Sequence, residues 1–248
     1  IKEYLQQQRV VLYIATPCQI AGLYSYLKKD YSNLLTIDLI CHGVSPTSYF
    51  NNEINYLKMT KKISSITDIR FRGNDSKNYK LSLWDNKQLK YCKSAYHQYY
   101  FSGFLKGISL RENCYACDYA RPERLSDITI GDFWGIESIL PDFFSKKGVS
   151  CLILNTPNAM ALIPMFKSIF YTEEVLLNDV IKFQRNLVSP TLRPDIRDII
   201  YKRLDEKDLE TFFGIVLAYP PDFKAEIKAL LPEWMKKKLR KIVSTVMA

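Results

Sequence analysis

The chain opens on an alternation of apolar and amphipathic stretches. Apolar runs at Val10–Ile14 and Leu34–Ile40 are each followed by a helix-like stretch, Gln19–Lys29 and Pro46–Lys58. Strands alternating with helices predict parallel pairing through helical crossovers. The texture then changes. Ser64–Arg72, Tyr79–Asp85 and Lys87–Tyr91 predict a short meander, with turns at Gly73-Asn74-Asp75 and Asp85-Asn86. Tyr96–Gly107 predicts an aromatic helix, and Asp127–Gly131 and Val149–Asn155 predict two further strands. From Ala159 onward the pattern is helical, broken at Ser189-Pro190, Arg193-Pro194, Pro220-Pro221 and Pro232. The expected fold class is α/β: a mixed, partly parallel sheet flanked by helices, with a mainly helical C-terminal region. Residues 1–155 are expected to form the α/β core domain. Residues 156–248 are expected to form a helical region ending in a basic amphipathic helix.

Composition narrows the setting. With 47% hydrophobic residues in 248, the chain can bury a sizeable core without disulfides, so its six cysteines call for another use. The longest apolar runs are too short to span a bilayer, and no signal peptide is visible, so the expected compartment is the reducing cytoplasm. The chain begins at Ile1, and a helix-like Lys2–Gln8 leads at once into a core strand. That start is expected of a piece of a longer protein. Of the net charge of +9, much sits in Lys236, Lys237, Lys238, Arg240 and Lys241, interleaved with Trp234, Leu239, Ile242, Val243 and Val246. Two readings stay open for this tail. It packs its apolar side on the domain, or it makes peripheral contact with the inner face of a membrane. The aromatics, 13% of residues, are scattered, which gives no base-stacking platform, and no nucleic-acid partner is expected.

Four cysteines carry the candidate chemistry. Cys18 in Thr16-Pro17-Cys18-Gln19 and Cys41 in Cys41-His42-Gly43 each follow a strand-like run. If those strands are parallel neighbours, both thiols emerge at one carboxyl edge, where α/β folds place their ligands. Cys114 and Cys117 form a C-x-x-C, and a loop bringing them to that edge would complete a four-thiolate site for an iron–sulfur cluster or zinc. Taken singly, Cys18 and Cys41 also read as small buried hydrophobes, and a lone C-x-x-C reads as a zinc motif, a redox dithiol or chance. Cys151 lies in a core-like strand, and Cys92 has no partner signal, so both are expected to be structural. Gly131-Asp132-Phe133-Trp134-Gly135 follows a strand directly. Tight backbone of this kind either approaches a flat cofactor and binds anionic oxygens, or is a plain turn with a buried Trp.

These segments, with Phe71-Arg72 and Ser126-Asp127-Ile128-Thr129-Ile130, occur in an order that resembles the C-terminal domain of the beta-subunit family of coenzyme F420 hydrogenases and dehydrogenases. The resemblance implies a mixed α/β domain carrying a 4Fe-4S cluster and FAD. Electrons would pass between cluster, flavin and a small-molecule acceptor such as the deazaflavin coenzyme. It implies Cys18, Cys41, Cys114 and Cys117 as cluster ligands. It further implies Asp127, Thr129, Gly131 and Asp132 as the lining of a flavin or substrate pocket, with Arg72 holding a phosphate or carboxylate and Lys77 as a candidate companion. An electron-donor protein or ferredoxin-type domain is the implied partner, and surface-polysaccharide synthesis is one implied setting. Three departures stand out. The family's usual Lys after Phe71-Arg72 is not clearly placed here, with Lys77 only a candidate. Ala15 occupies a position where the family usually has Gly, and the family's N-terminal extension, which carries part of the flavin region, is not in this sequence. The expected function is therefore an iron–sulfur flavoprotein oxidoreductase domain, with His42 beside Cys41 either a hydrogen-bond or proton donor or a structural residue. The alternatives are a zinc-stabilised, non-redox binding module and a membrane-associated accessory protein of glycan assembly.

Overall fold

The computed structural model describes residues 1–72, 79–94, 98–145, 147–204 and 235. The basic C-terminal helix expected around Lys236–Lys241, and Lys77, lie outside the described residues. The chain gathers into two compact units, each made of two stretches: residues 1–44 with 110–192, and residues 45–109 with 193–248.

The first unit is built on a sheet of order β1-β2-β6-β7, comprising β1 (Val11–Ala15), β2 (Leu34–Leu39), β6 (Ile128–Asp132) and β7 (Ser150–Leu154). β1, β2 and β6 run parallel, and β7 closes the order antiparallel to β6. This is the mixed, partly parallel sheet that the alternation predicts. α1 (Lys2–Gln6) precedes the sheet, and α2 (Pro17–Leu27) makes the β1-to-β2 crossover. Local chemistry fixes the start of α2. Pro17 occupies its first turn, and the Gln19 side chain reaches back to accept the Thr16 N–H at 3.1 Å. Lys28, with φ 57°, ends it in the left-handed region. A core of Phe133, Ile136, Cys151, Val180 and Leu187 packs beside the sheet.

The two faces of this sheet differ in an unusual sense. Thr36, Asp38 and Thr129 share one face and are fully buried, whereas Leu12 and Ile14 on the other are 55% and 54% exposed. Apolar runs this dense usually mark parallel strands buried on both faces. Here the covered face is the one that holds polar groups: hydrogen bonds satisfy Thr36 and Thr129, and the buried Arg124 guanidinium pairs with Asp38.

In the second unit, α3 (Thr47–Thr60) precedes the antiparallel meander β3 (Asp68–Arg72), β4 (Tyr79–Asp85) and β5 (Gln88–Ser94), followed by α4 (Tyr99–Leu105). Leu57, Ile63, Leu81, Leu83 and Tyr91 form its core. Burying a Leu or Ile of this kind contributes about 1.5–3 kcal/mol. Glu53, 1% exposed on α3, accepts the N–H groups of Tyr99 and Tyr100 at 2.9 and 2.8 Å and so caps the start of α4.

Between Leu110 and Leu192 the first unit also carries α5 (Glu112–Tyr115), α6 (Ile136–Ile139), α7 (Pro157–Met160), α8 (Ile163–Ile169) and α9 (Leu177–Ile181). α10 (Ile196–Leu204) belongs to the second unit. Among the described residues after 156 the regular structure is helical, in short pieces. Among the described residues, no helix is long and apolar enough to cross a membrane.

Candidate functional site

The parallel register aligns Ala15 of β1 with Asp38 of β2, so both strands end at the same sheet edge. Each delivers a cysteine there. Cys18 sits in the first turn of α2, its sulfur 3.3 Å from the Thr16 hydroxyl. Cys41 follows β2 by two residues. The C-x-x-C segment is drawn to the same place by its backbone, since the Arg111 N–H donates to the Val44 carbonyl at 2.8 Å. Gly43 makes that approach possible. Its φ is +131°, and a Cβ there would lie 2.5 Å from Leu110 Cδ1, so a side chain would hold the two segments apart.

The result is a cavity of about 570 Å³ bordered by Cys18, Cys41, Cys114 and Cys117 together with Arg111, His42 and Thr191. Cys18 is exposed and the other three are partly buried. Burial pushes the Cys41 thiol above its ordinary range, a Gly43 backbone hydrogen bond opposes this, and the charges of Cys114, Cys18 and Cys117 push it up again. Among the described residues, no three His, Cys, Asp or Glu side chains close in tightly enough to hold a single metal ion. Beside Cys41, the His42 ring nitrogen Nδ1 lies 3.4 Å from both Asn186 Oδ1 and Thr191 Oγ1, while the Thr191 hydroxyl donates to the His42 carbonyl at 2.7 Å. The other two cysteines fall elsewhere. Cys151 is in the first unit's core, where burial pushes its thiol up to about 11, and Cys92 is exposed on β5.

Within the Ser126–Gly135 motif Ser126, Ile128, Thr129 and Phe133 are buried, whereas Asp132 and Trp134 are exposed, so the buried Trp of the plain-turn reading is not found. The Asp127 carboxylate accepts the Thr36 N–H and hydroxyl, both at 2.8 Å, and the Thr156 hydroxyl at 2.9 Å. Thr129 is fully buried and receives Arg124 Nε at 3.3 Å and Asn155 Nδ2 at 3.0 Å. Gly131 gives room to a neighbour, for a Cβ there would lie 2.9 Å from Ile40 Cδ1. Asp132 is exposed, and its carbonyl accepts a hydrogen bond from the Gln184 amide. Arg72 ends β3 in the second unit, and its side chain lies outside the described residues.

Sequence reading did not single out Asp38 and Arg124, which form an ion pair at 2.9 Å with both side chains 1% exposed. Arg124 also donates to the carbonyls of Tyr119 at 2.7 Å, Arg121 at 3.4 Å and Leu39 at 3.0 Å. One signal was available: an acid in the middle of an apolar strand demands a buried partner. The partner's position, seven residues after Cys117, carries no local pattern.

No curated protein and no solved structure matches the chain. The sequence pattern of one family, that of the C terminus of the coenzyme F420 hydrogenase/dehydrogenase beta subunit, matches residues 8–175, a span that takes in all four cysteines at the sheet edge. The chain belongs to that family and is a domain of the redox-subunit type.

Proposed function

We propose that this domain transfers electrons through an iron–sulfur cluster of the 4Fe-4S type held by Cys18, Cys41, Cys114 and Cys117. The observation that carries the reading is that all four cysteines border one cavity of about 570 Å³. Four soft donors suit iron–sulfur or zinc chemistry, although the Asp118 carboxylate also borders the cavity. A zinc site gathers its sulfurs at about 2.3 Å from one point. Cysteines that border an open cavity fit a multi-iron cluster better.

Bound there, such a cluster supplies one-electron transfer. The chain's own groups ligate it and tune it. The Gly43 hydrogen bond to Cys41 favours the thiolate. Arg111 brings positive charge to the cavity wall, and the partial burial of three cysteines lowers the local dielectric; such factors set cluster potential. FAD, a donor protein or ferredoxin-type domain and a small-molecule acceptor complete the proposed path. No described residue is assigned to the flavin, because Asp127, Thr129 and Gly131 serve contacts inside the first unit.

The test is iron loading of the full chain with ferrous iron and sulfide under anaerobic conditions. The expected product is brown, with broad visible absorption and about four irons per chain. Cys114→Ser should lose most of that iron, since a rarely ionised hydroxyl replaces a soft thiolate, while Cys92→Ser should keep it. A colourless chain that takes up zinc alone, or equal iron loss in the two variants, would sink the assignment.

A further inference from the structure

The buried Asp38–Arg124 pair has no place in ligation, yet it touches the segments next to Cys41 and Cys117. The guanidinium binds three segments at once. Its Nη1 holds the Tyr119 and Arg121 carbonyls in the loop that follows the C-x-x-C. Its Nη2 holds the Leu39 carbonyl and the Asp38 carboxylate at the end of β2, two and three residues before Cys41. Its Nε reaches Thr129 on β6. Tyr119 lies two residues after Cys117 and itself borders the cavity.

We propose that Arg124, with Asp38 as its counter-charge, is the positioning residue that fixes the spacing between Cys41 and the Cys114–Cys117 pair. This rests on the four-thiolate reading of the cavity. Two physical arguments support it. First, a buried ion pair is a poor source of stability, because removing both charges from water offsets their attraction, and well-packed apolar residues often do as well. The Asp38 carboxylate has no hydrogen-bond partner among the described residues, so the acid side of the pair lacks the network that would make the pair strongly stabilising. Its presence at this site calls for a role that apolar packing does not fill. Secondly, the contacts require a planar fork. A guanidinium presents five donors in fixed directions, whereas an ammonium on a flexible stem can satisfy Asp38 without holding carbonyls on two separate segments.

The experiment separates positioning from stability and both from cluster binding. Three full-length chains are compared: wild type, the double variant Asp38→Leu with Arg124→Met, and Arg124→Lys. The metal-free chains are treated with dibromobimane, a short bifunctional thiol reagent, and the Cys41–Cys114 and Cys41–Cys117 links are quantified by mass spectrometry. Thermal unfolding is followed in parallel, and iron uptake is measured last. The double variant leaves no lone charge buried, but it takes the donor from the carbonyls of Tyr119, Arg121 and Leu39, so it should fold with a lowered unfolding temperature. Its cross-linking rate should fall by about tenfold, the effect of losing a contact worth a single hydrogen bond or so, and its iron uptake should fall with it. Arg124→Lys should keep Asp38 paired and the fold intact but cross-link as slowly as the double variant. Cross-linking at the wild-type rate in a folded double variant overturns the proposal. If that variant does not fold, Arg124→Lys decides alone, and a wild-type rate there overturns it. A wild type that cross-links readily yet takes up no iron would instead refute the cluster reading, leaving the positioning result to stand on the cross-links.

Discussion

At the scale of single residues, Gly131 separates two explanations of the same motif. Glycine after a strand can mark close approach of a cofactor or close packing of a neighbour. Here the neighbour is Ile40, whose Cδ1 would lie 2.9 Å from an added Cβ. Gly131→Ala should therefore overpack this contact and destabilise the chain by about 1–3 kcal/mol, seen as a lower denaturant midpoint at unchanged slope. A loss of flavin binding at unchanged stability would show that the glycine faces a ligand instead. The cysteines were legible in the sequence because soft ligands at strand ends are few and their spacing is fixed by the strands. Arg124 was not. It stands in Arg121-Pro122-Glu123-Arg124, a charged loop that reads as solvated, and only the fold shows its guanidinium buried.

At the scale of elements, the cap on α4 ties the stability of the second unit to pH. Burial raises the carboxyl of Glu53 to about 7, against the opposing pull of the Tyr100 and Tyr99 backbone N–H groups. The folded state then holds its proton more tightly than the unfolded state does. The sign follows from linkage: this contribution is fully present below about pH 4.5 and is lost as pH rises towards about 7. The second unit should lose roughly 3 kcal/mol of stability across that window, and Glu53→Gln should flatten the profile. Denaturant midpoints at about pH 5 and about pH 8 measure it; a wild-type midpoint that rises with pH would reverse the assignment. Strands and long helices were readable here, since β1, β2 and α3 carry enough residues to show a period. α6 was not, and the stretch read as helical from Ala159 gave no sign of its division into α7, α8 and α9, because four to seven residues span too few turns to display a period. The exposure of Leu12 and Ile14 was hidden for another reason. An apolar run does not say which face its neighbours will cover, and here Asp38 and Thr36 were the better guide to the inside.

At the scale of the whole molecule, each compact unit joins stretches far apart in the chain, residues 1–44 with 110–192 and 45–109 with 193–248. Local patterns encode elements, but they do not encode which distant stretches associate. All four cysteines nevertheless fall in the first unit, on the loops that follow β1 and β2 and on the segment just before β6. Metal binding to a site that the unfolded chain lacks adds its free energy to folding. That free energy enters where the ligands are. Loading iron and sulfide should slow hydrogen exchange at the amides of β1, β2 and β6 by about tenfold or more, while β4 and β5, built around Leu81 and Leu83 in the second unit, should exchange as before. Peptide-level exchange mass spectrometry on loaded and metal-free chains reads this directly. Protection confined to β4 and β5, or unchanged everywhere in a chain that holds its iron, would mean that the cluster is bound away from the sheet edge that carries Cys18 and Cys41.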